Sequence, residues 1–560
     1  MTHDDEMILR SDSISQEADG SVKVQGKHHS KKAAFTCCAK NFCREYLWNG
    51  YGLVLLGILL LTFFLRLRYI TQESIWNDSA VHLWYAIKVI SEHLFFFSSE
   101  YLLGDYAVPQ TAMALFYAIS GNALLSSQIV TMLYALVGVF FMYLLGSELR
   151  SRFMGLIAAA LLAVNHLFWF YGSRFLADSP VLVTTIILLY CVVKLEKEHK
   201  LVWGIASGLM FLVLLFTKVQ TVIFILAYVL YCLIFKHKQI FNKESWSSVK
   251  KVFSNAFFVS FIIPVGFVLI GHVVGKIAYN AAILDRVFGL FLTLRGVEYG
   301  FEASSMLLWV MSGYVAILAL IGLVLVILYK QKQYYFGLVL FFFYWIFFEL
   351  NVDNTQDRYM LPLLSIGIVL CAFALEEIGH YLALFIHKYA KYIGVGLIVL
   401  FLCWSYYSVG DPLIASKSSS YLGYKEAGEW VRANVPEDAP FFAGEYRLMR
   451  FYTQREYGGP DPGEDMGGPI LNMRSERYLA GKEAFEEDVR RFSLEEDVYL
   501  EVDVWEYAQP KWYYPLSKES FDYFLSLGFK PIYVVERDVA TQNGKQKMPV
   551  IFIFKLDKQG

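Results

Sequence analysis

The chain has 560 residues, 56% of them hydrophobic and 18% charged, and its mean hydropathy is +0.43. Apolar runs of about 17–25 residues are long enough to cross a bilayer core. The composition therefore indicates an integral membrane protein and excludes an ordinary soluble enzyme. The formal net charge of −2 does not indicate a nucleic-acid partner.

The N-terminal stretch 1–47 is polar, mixed in charge and without the early apolar core of a cleavable signal. We expect it to form a disordered cytoplasmic tail. Cys37, Cys38 and Cys43 lie in it beside the first apolar run, where lipidation is an alternative to unmodified thiols. None of the chain's cysteines follows residue 411, which excludes disulfides from the C-terminal region.

Residues 48–410 contain apolar segments that predict eleven transmembrane helices. Their expected limits are 48–69, 124–147, 153–171, 176–195, 200–216, 219–235, 252–275, 305–329, 334–350, 359–378 and 392–409. Basic residues in alternate loops predict that these loops and the tail face the cytoplasm. The loops contain Arg150, Lys197, Lys236, Lys330 and Lys388. An odd number of helices then places residues 411–560 outside.

Two outer loops are too long for simple turns. The first, 70–123, contains Ser79–Phe97 and Pro109–Ser120, which we predict to be helices in the membrane interface. The second, Lys276–Ser304, carries Tyr279. A long first outer loop of this kind gives the membrane domain room for a site at its outer face.

Residues 411–560 alternate helical and strand patterns, which predicts a small extracytoplasmic α/β domain. The expected strands are Pro440–Ala443, Val498–Val504, Pro531–Glu536 and Pro549–Lys555. The expected helices are Tyr424–Asn434, Glu476–Arg491 and Ser517–Leu527. Gly458–Gly468 is rich in glycine, proline and acidic residues and predicts a flexible loop.

Asp78 and Asp178 follow apolar segments on the predicted outer side. Carboxylates are costly to keep near hydrocarbon, so they usually mark a site. Cations also occur on that side, against the orientation rule, and each needs a local reason. They are Arg66, Arg68, Arg174, Lys218 and Arg358. We interpret Arg66 and Arg68 as snorkelling to lipid headgroups, and the others as ligands for an anion such as phosphate.

Four short motifs occur in order along this predicted outer side. They are Arg66–Ala80 with its Trp76-Asn77-Asp78, then Asp178-Ser179-Pro180, Thr217-Lys218, and Arg358-Tyr359-Met360-Leu361-Pro362. Together they resemble the GT-C glycosyltransferases of the protein O-mannosyltransferase and lipid A aminoarabinose transferase type. Ser79 stands where that family usually has a glutamate, so the chain departs from a two-carboxylate loop.

The resemblance implies that a sugar moves, with inversion, from polyprenyl phosphate to a hydroxyl of a protein, glycan or lipid. An alcohol needs a base within hydrogen-bond reach, and the departing phosphate needs fixed positive charge. The implied roles are base for Asp78, orientation for Asp178, and phosphate binding for Lys218, Arg358 and Arg174. Further candidate contacts are His82, Tyr359 and Tyr279.

Other functions are compatible with the same residues. A divalent cation held by Asp78 and Asp178, as in the related oligosaccharyltransferases, is open, although two carboxylates are few ligands for a hard cation. A transporter or flippase of lipid-linked sugars would place its charges near the bilayer midplane on broken helices. A non-catalytic scaffold that presents the outer domain is a third alternative.

Overall fold

The structure, a computed structural model, describes residues 49–69, 75–91, 107–240, 254–279, 301–351, 356–417, 420–455, 468–505, 509–541 and 544–559. Our predictions for the tail and its three cysteines, for nearly all of Gly458–Gly468, and for the distal parts of both long outer loops lie outside these residues.

Each predicted membrane segment overlaps a helix of the structure. The helices are α1 Gly50–Leu67, α2 Asn77–Ser91, α3 Ala107–Ser120, α4 Ala123–Leu149, α5 Arg152–Val164, α6 His166–Gly172, α7 Asp178–Glu198, α8 Leu201–Thr217, α9 Val222–Tyr231, α10 Ala256–Tyr279, α11 Glu302–Met311, α12 Gly313–Leu328, α13 Tyr335–Asn351, α14 Asp357–Phe385 and α15 Ala390–Lys417. Helices α2 and α3 correspond to the two predicted interfacial helices.

Within the described residues, seven helices are long and apolar enough to span a membrane, or nine if each of two bent pairs counts as one span. Leu201–Thr217 and Ala256–Ile270 are shorter apolar helices. The chain is therefore a multi-pass membrane protein, and the number eleven stays a prediction.

The third predicted span is broken because it contains a capping residue. Asn165 accepts hydrogen bonds from Leu167 N and Phe168 N, so it starts a new helix inside the apolar run. Helices α5 and α6 meet there at 59°, and α11 and α12 meet at 99° around Ser312. The first break comes shortly before the connection that carries Arg174 and leads to Asp178.

Helices α7 and α14 form the centre of the membrane region. In their apolar windows 89% and 94% of the residues are buried, against 28% for α1 and 22% for α15. Asp178 begins α7 and Arg358 is the second residue of α14. The charged ends of the two most enclosed helices are thus held firmly at one end of the bundle.

The opposite end of the bundle has its own charges. Arg150 forms an ion pair with Glu377 and lies 3.5 Å from Glu376, and Lys194 lies 3.3 Å from Glu148. Lys194 belongs to the far end of α7, and Glu376 and Glu377 belong to the distal half of α14. These groups occupy the end that carries the predicted cytoplasmic loops.

The C-terminal domain is built on one mixed sheet. Its strands are β1 Phe441–Ala443, β2 Ile470–Asn472, β3 Val498–Asp503, β4 Lys530–Thr541 and β5 Gly544–Leu556, in the order β2-β1-β3-β5-β4. Strand β1 is parallel to β2 and β3, and β5 is antiparallel to β3 and β4. The predicted α/β domain is present, and β2 is an addition to it.

The helices of this domain are α16 Tyr424–Asn434, α17 Tyr446–Thr453, α18 Glu476–Leu479, α19 Lys482–Ser493 and α20 Lys518–Ser526. The predicted helix Glu476–Arg491 is two helices that meet around Gly481, and α17 had no counterpart among our predictions. Helix α17 packs on α2 of the first outer loop. Leu448 and Met449 share a buried apolar cluster there with Trp84 and Met113.

Candidate functional site at the domain junction

Asp78 lies in the first turn of α2, where the Asn77 side chain accepts a hydrogen bond from its backbone N–H. Its carboxylate joins two arginines that are far apart in the chain. Arg358 Nη1 lies 2.8 Å from Oδ2, and Arg447 Nη1 lies 2.6 Å from Oδ1. The first arginine begins a central membrane helix and the second begins α17 of the C-terminal domain, so Asp78 connects the two domains.

The two arginines determine the charge state of this aspartate. Burial by itself would raise the pKa of Asp78, but the hydrogen bond and charge of Arg358 and the charge of Arg447 outweigh it and lower the pKa. The carboxylate is therefore ionised at neutral pH. For Arg447, burial is likewise outweighed by Tyr446, Glu445 and Asp78, which raise its pKa.

Asp178 and Lys218 form a second ion pair, which is more deeply buried. Lys218 Nζ lies 2.7 Å from Asp178 Oδ1, and the two side chains are only 9% and 6% exposed. Lys218 directly follows α8 in extended backbone, so its side chain turns from the end of that helix towards α7. Pairing offsets part of the cost of burying both charges.

Tyr359 connects the two groups of charges. The Lys218 ammonium lies 4.6 Å from the centre of its ring, and the Arg358 guanidinium lies 5.6 Å from it. Tyr344 fixes this part of α14 by donating a hydrogen bond to the Tyr359 carbonyl. An aromatic ring attracts cations that lie close to it, so Tyr359 contacts both Lys218 and Arg358.

His82 is buried one helical turn beyond Asp78. Its Nδ1 lies 3.5 Å from Gln110 Nε2, and the ring meets Phe175 at an edge. Burial lowers the pKa of His82 to about 4, although Asp78 and Asp178 oppose the shift. The imidazole is therefore neutral at physiological pH, within electrostatic range of both carboxylates.

The structure brings together Asp78, Asp178, Lys218, Arg358, Tyr359 and His82, but it places Arg174 differently. The Arg174 guanidinium lies over the rings of Phe170 and Trp76 and donates to the Phe170 carbonyl. Tyr279 ends α10, and its side chain lies outside the described residues. The phosphate-binding role of Arg174 and the contact role of Tyr279 stay predictions.

The snorkelling interpretation of Arg66 is wrong. Arg66 is only 3% exposed, and its Nη1 donates to the Ala163 carbonyl inside the protein. Arg68 lies 3.0 Å from Asp411 and also hydrogen-bonds Tyr407, so a protein carboxylate is the local reason for its position. Apolar neighbours in the sequence could not distinguish burial in protein from contact with lipid.

Arg447 is the site residue that the sequence did not indicate. It belongs to an outer domain that we treated as separate from the membrane site. A weak signal existed, because Glu445-Tyr446-Arg447 places a basic residue beside an aromatic one at the start of a short helix. That pattern is common on solvated surfaces and does not by itself suggest a site.

The ligand set does not fit a divalent cation. Both oxygens of Asp78 accept from arginines, and the bound oxygen of Asp178 accepts from Lys218. In the described part of the chain no three histidine, cysteine or acidic side chains cluster in a way that could hold a metal ion. We therefore assign no chemical step to a metal, and the alternative of a divalent cation at Asp78 and Asp178 stays untested.

Comparison with known proteins supports the resemblance that the motifs indicated. A family model described as dolichyl-phosphate-mannose-protein mannosyltransferase matches residues 108–266. No curated protein matches this chain in sequence.

Several solved structures are similar in fold, among them ArnT and AglB. ArnT from Cupriavidus metallidurans, bound to undecaprenyl phosphate, has a TM-score of 0.55 at 12% identity over 90% of this chain and 98% of its own. The oligosaccharyltransferase AglB from Archaeoglobus fulgidus, in complex with an inhibitory peptide and a dolichol-phosphate, has a TM-score of 0.54 at 12% identity over 81% and 71%. The chain thus has the GT-C glycosyltransferase fold and resembles the protein O-mannosyltransferase and ArnT group.

Proposed function

We propose that this protein is an inverting glycosyltransferase that moves a sugar from a polyprenyl-phosphate carrier to a hydroxyl acceptor at the extracytoplasmic membrane face. The observation that carries the proposal is the meeting of Asp78, Arg358 and Arg447 at the junction of the two domains, beside the Asp178–Lys218 pair. A base and a set of phosphate-binding cations there match the two demands of the reaction.

The ion pairs suggest how substrate binding prepares the base. Lys218 and Arg358 each hold a carboxylate. A carrier phosphate that attracts Arg358 would release Asp78 Oδ2, while Arg447 keeps holding Oδ1. Asp78 then has one free oxygen, in a fixed orientation, for the proton of the acceptor hydroxyl.

The bonds balance in a single displacement. The acceptor oxygen bonds to the anomeric carbon as the bond from that carbon to the phosphate oxygen breaks, and Asp78 takes the hydroxyl proton. The carrier leaves as polyprenyl phosphate, whose growing negative charge is stabilised by Lys218 and Arg358. Attack opposite the leaving group inverts the anomeric configuration.

The carrier class is supported from two sides. The similar ArnT and AglB structures contain undecaprenyl phosphate and a dolichol-phosphate, respectively. In this chain, Lys218 and Arg358 flank one aromatic ring at the outer ends of α8 and α14. A phosphate on a membrane lipid could reach cations at that level without leaving the bilayer surface.

A transporter of lipid-linked sugars is less well supported. Transporters place their ionic sites near the midplane on discontinuous helices. Here Asp178 is the first residue of its helix, Arg358 the second, and Lys218 follows the last. Charges at helix ends beside a docked outer domain favour chemistry at the membrane surface.

Labelled polyprenyl-phosphate hexose, supplied to the protein in lipid nanodiscs, tests the proposal. We expect acceptor-dependent release of polyprenyl phosphate and a product of inverted anomeric configuration. Movement of intact carrier across liposomes without hydrolysis or transfer would contradict the proposal and identify a flippase. Mass analysis of surface glycans from cells that lack the protein would identify the sugar.

The side of the membrane can be tested separately. Glu487 is exposed in the outer domain and Lys388 is exposed at the other end of the bundle. In a background without native cysteines, we expect Glu487→Cys to react with an impermeant thiol reagent on intact cells, and Lys388→Cys only after lysis. The reverse pattern would place the site in the wrong compartment for this donor.

A further inference from the structure

A cavity with one polar end lies beside the ion-paired group formed by Asp78, Arg358 and Arg447. Its walls come from the end of α1, the start of α2, α4 and the α6–α7 connection. Among the residues that line it are Trp76, Ser79, Ser127, Thr131, Ser173 and Arg174. Hydroxyl groups together with an indole ring are typical of surfaces that bind sugars, and this cavity also contains buried arginine.

The polar end of the cavity surrounds Gly172. The three atoms nearest to the position where a Cβ would stand on Gly172 are Ser179 Oγ at 3.6 Å and Arg66 Nε and Nη2, both at 3.8 Å. All three atoms are buried and have no hydrogen-bond partner in the structure as described. Three polar atoms therefore surround one small space that a glycine leaves open.

Arg66 is prepared to bind an anion there. Its Nη1 is fixed by the Ala163 carbonyl and its guanidinium lies over the Phe168 ring. Among the described residues no carboxylate pairs with it. The remaining Nε–Nη2 edge is the fork that binds two oxygens of a carboxylate or phosphate, and leaving such donors buried without a partner is costly.

Helix α2 separates this cavity from the ion-paired group. Ser79 and Leu83, four residues apart, line the cavity. Asp78 and His82, also four residues apart, belong to the neighbouring stripe of the same helix. On α7, neighbouring residues belong to the ion pair and to the cavity. Asp178 pairs with Lys218, and Ser179 reaches the space over Gly172. A ligand in the cavity would thus lie close to both carboxylates without contacting the carrier-binding cations.

We infer that this cavity is a second anion-binding site and that it takes an anionic sugar, one that bears a phosphate or a carboxylate. Its oxygens accept from the Arg66 fork and from Ser179, while the hydroxyls along the cavity bind the sugar ring. The identification of this sugar as the acceptor rests on the proposed function, whereas the binding site itself does not.

Gly172→Ala tests the site directly. At 3.6–3.8 Å the new methyl group would make ordinary contacts, so the fold should be kept, but it would fill the space over the fork. The matched control is Gly57→Ala in α1, where a Cβ meets nothing within 4 Å. Ser179→Ala is a second variant that removes one donor. Equal melting temperatures would confirm that all three variants fold like the parent.

Titration of detergent-purified protein with a hexose, a hexose 6-phosphate, a hexuronate, inorganic phosphate and a polyprenyl phosphate separates the ligand sources. We expect the parent and Gly57→Ala to bind the charged sugars better than the hexose. Gly172→Ala and Ser179→Ala should weaken that binding by roughly tenfold or more, the usual worth of hydrogen bonds to a charged group. Binding of polyprenyl phosphate should be unchanged in both.

Any of four results would overturn the inference. One is equal binding of charged and neutral sugars by the parent, and another is unchanged binding by Gly172→Ala. The third is weaker binding of polyprenyl phosphate by Gly172→Ala, which would make the cavity part of the carrier site. Sugar transfer to a neutral acceptor with no anion binding would refute this inference and keep the proposed function. Anion binding without any sugar transfer would support this inference and refute the proposed function.

Discussion

The two carboxylates of the site have different surroundings. Asp78 is 29% exposed, is shared by two arginines and lies where the C-terminal domain meets the membrane region. Asp178 is 6% exposed and faces one lysine inside the helix bundle. Two carboxylates that lie in different environments can have different functions, as pairs of carboxylates in enzymes often illustrate.

The difference indicates which carboxylate can react. Asp78 can exchange partners with little cost, because water and a second arginine remain when one arginine leaves. Asp178 cannot lose Lys218 without leaving a charge buried and unpaired, and that is strongly unfavourable. We therefore expect Asp78 to accept the proton and Asp178 to maintain the position of Lys218.

The largest expected effect is on turnover, in Asp78→Asn. The change keeps the size of the side chain and removes its basicity, so we expect turnover to fall by roughly 10²- to 10⁴-fold with carrier binding retained. The matched control is Asp411→Asn, on an aspartate that accepts from Arg68 and Tyr69. Transfer of labelled sugar measures both. Turnover within a few-fold of the parent would move the role of base to Asp178.

Asp178→Asn should act on stability instead. It leaves the Lys218 ammonium buried without its partner, which typically costs about 3–5 kcal/mol, whereas exposed ion pairs contribute about 1 kcal/mol or less. Thermal unfolding in detergent compares Asp178→Asn with Asp78→Asn. The double variant Asp178→Asn/Lys218→Met should recover most of the stability, since it removes both charges. Equal losses of stability in the two single variants would contradict the difference that we infer between Asp78 and Asp178.

The cations that bind phosphate come next. Arg358→Ala should lose about 2–4 kcal/mol of transition-state stabilisation, by analogy with the loss of one oxyanion donor, and Arg358→Lys should also be impaired because an ammonium lacks the planar fork. For Lys218, the double variant Asp178→Asn/Lys218→Met separates the two effects, because it should keep most of the stability while it lacks the cation.

Affinity for polyprenyl phosphate and kcat/KM are the measurements for these cation variants. Lys194→Ala is the control, because Lys194 also pairs with glutamates but lies at the far end of α7. Unchanged affinity and transfer in the Arg358 variants and in the Lys218 double variant would refute the phosphate-binding role and leave both cations as structural partners of the carboxylates.

The sequence indicated the membrane side of this site because charges are conspicuous among apolar residues. Asp78, Asp178, Lys218 and Arg358 stood out for that reason, and all four meet in the structure. Their pairing was not predictable, because it depends on how α7, α8 and α14 pack. The break at Asn165 was visible in principle, since asparagine is a preferred helix N-cap.

The outer-domain side of the site was hidden for a different reason. Helix α17 has only eight residues, and its N-cap is Glu445, which accepts from Arg447 N at 3.3 Å. Glutamate is not among the usual N-cap residues, and the helix packs on both α2 and α16. Tertiary contact therefore creates the element that carries Arg447, and a reading of local sequence signals could not find it.

The smallest expected effect concerns His82, the neutral neighbour of Asp78. Its folded pKa of about 4 lies below the unfolded value of about 6.5. Between these values the unfolded chain binds a proton that the folded protein does not, so stability is full above pH 6.5 and falls as the pH drops. We expect the parent to lose about 1 kcal/mol of stability between pH 7.5 and 5.5 relative to His82→Asn.

The lowered pKa of Asp78 acts only at more acidic pH, because a carboxylate with a depressed pKa loses its contribution to stability as the pH falls through the folded value. Thermal unfolding of the parent and His82→Asn across this range isolates the histidine. Parallel curves would mean that His82 is solvated in the folded protein and that burial does not lower its pKa.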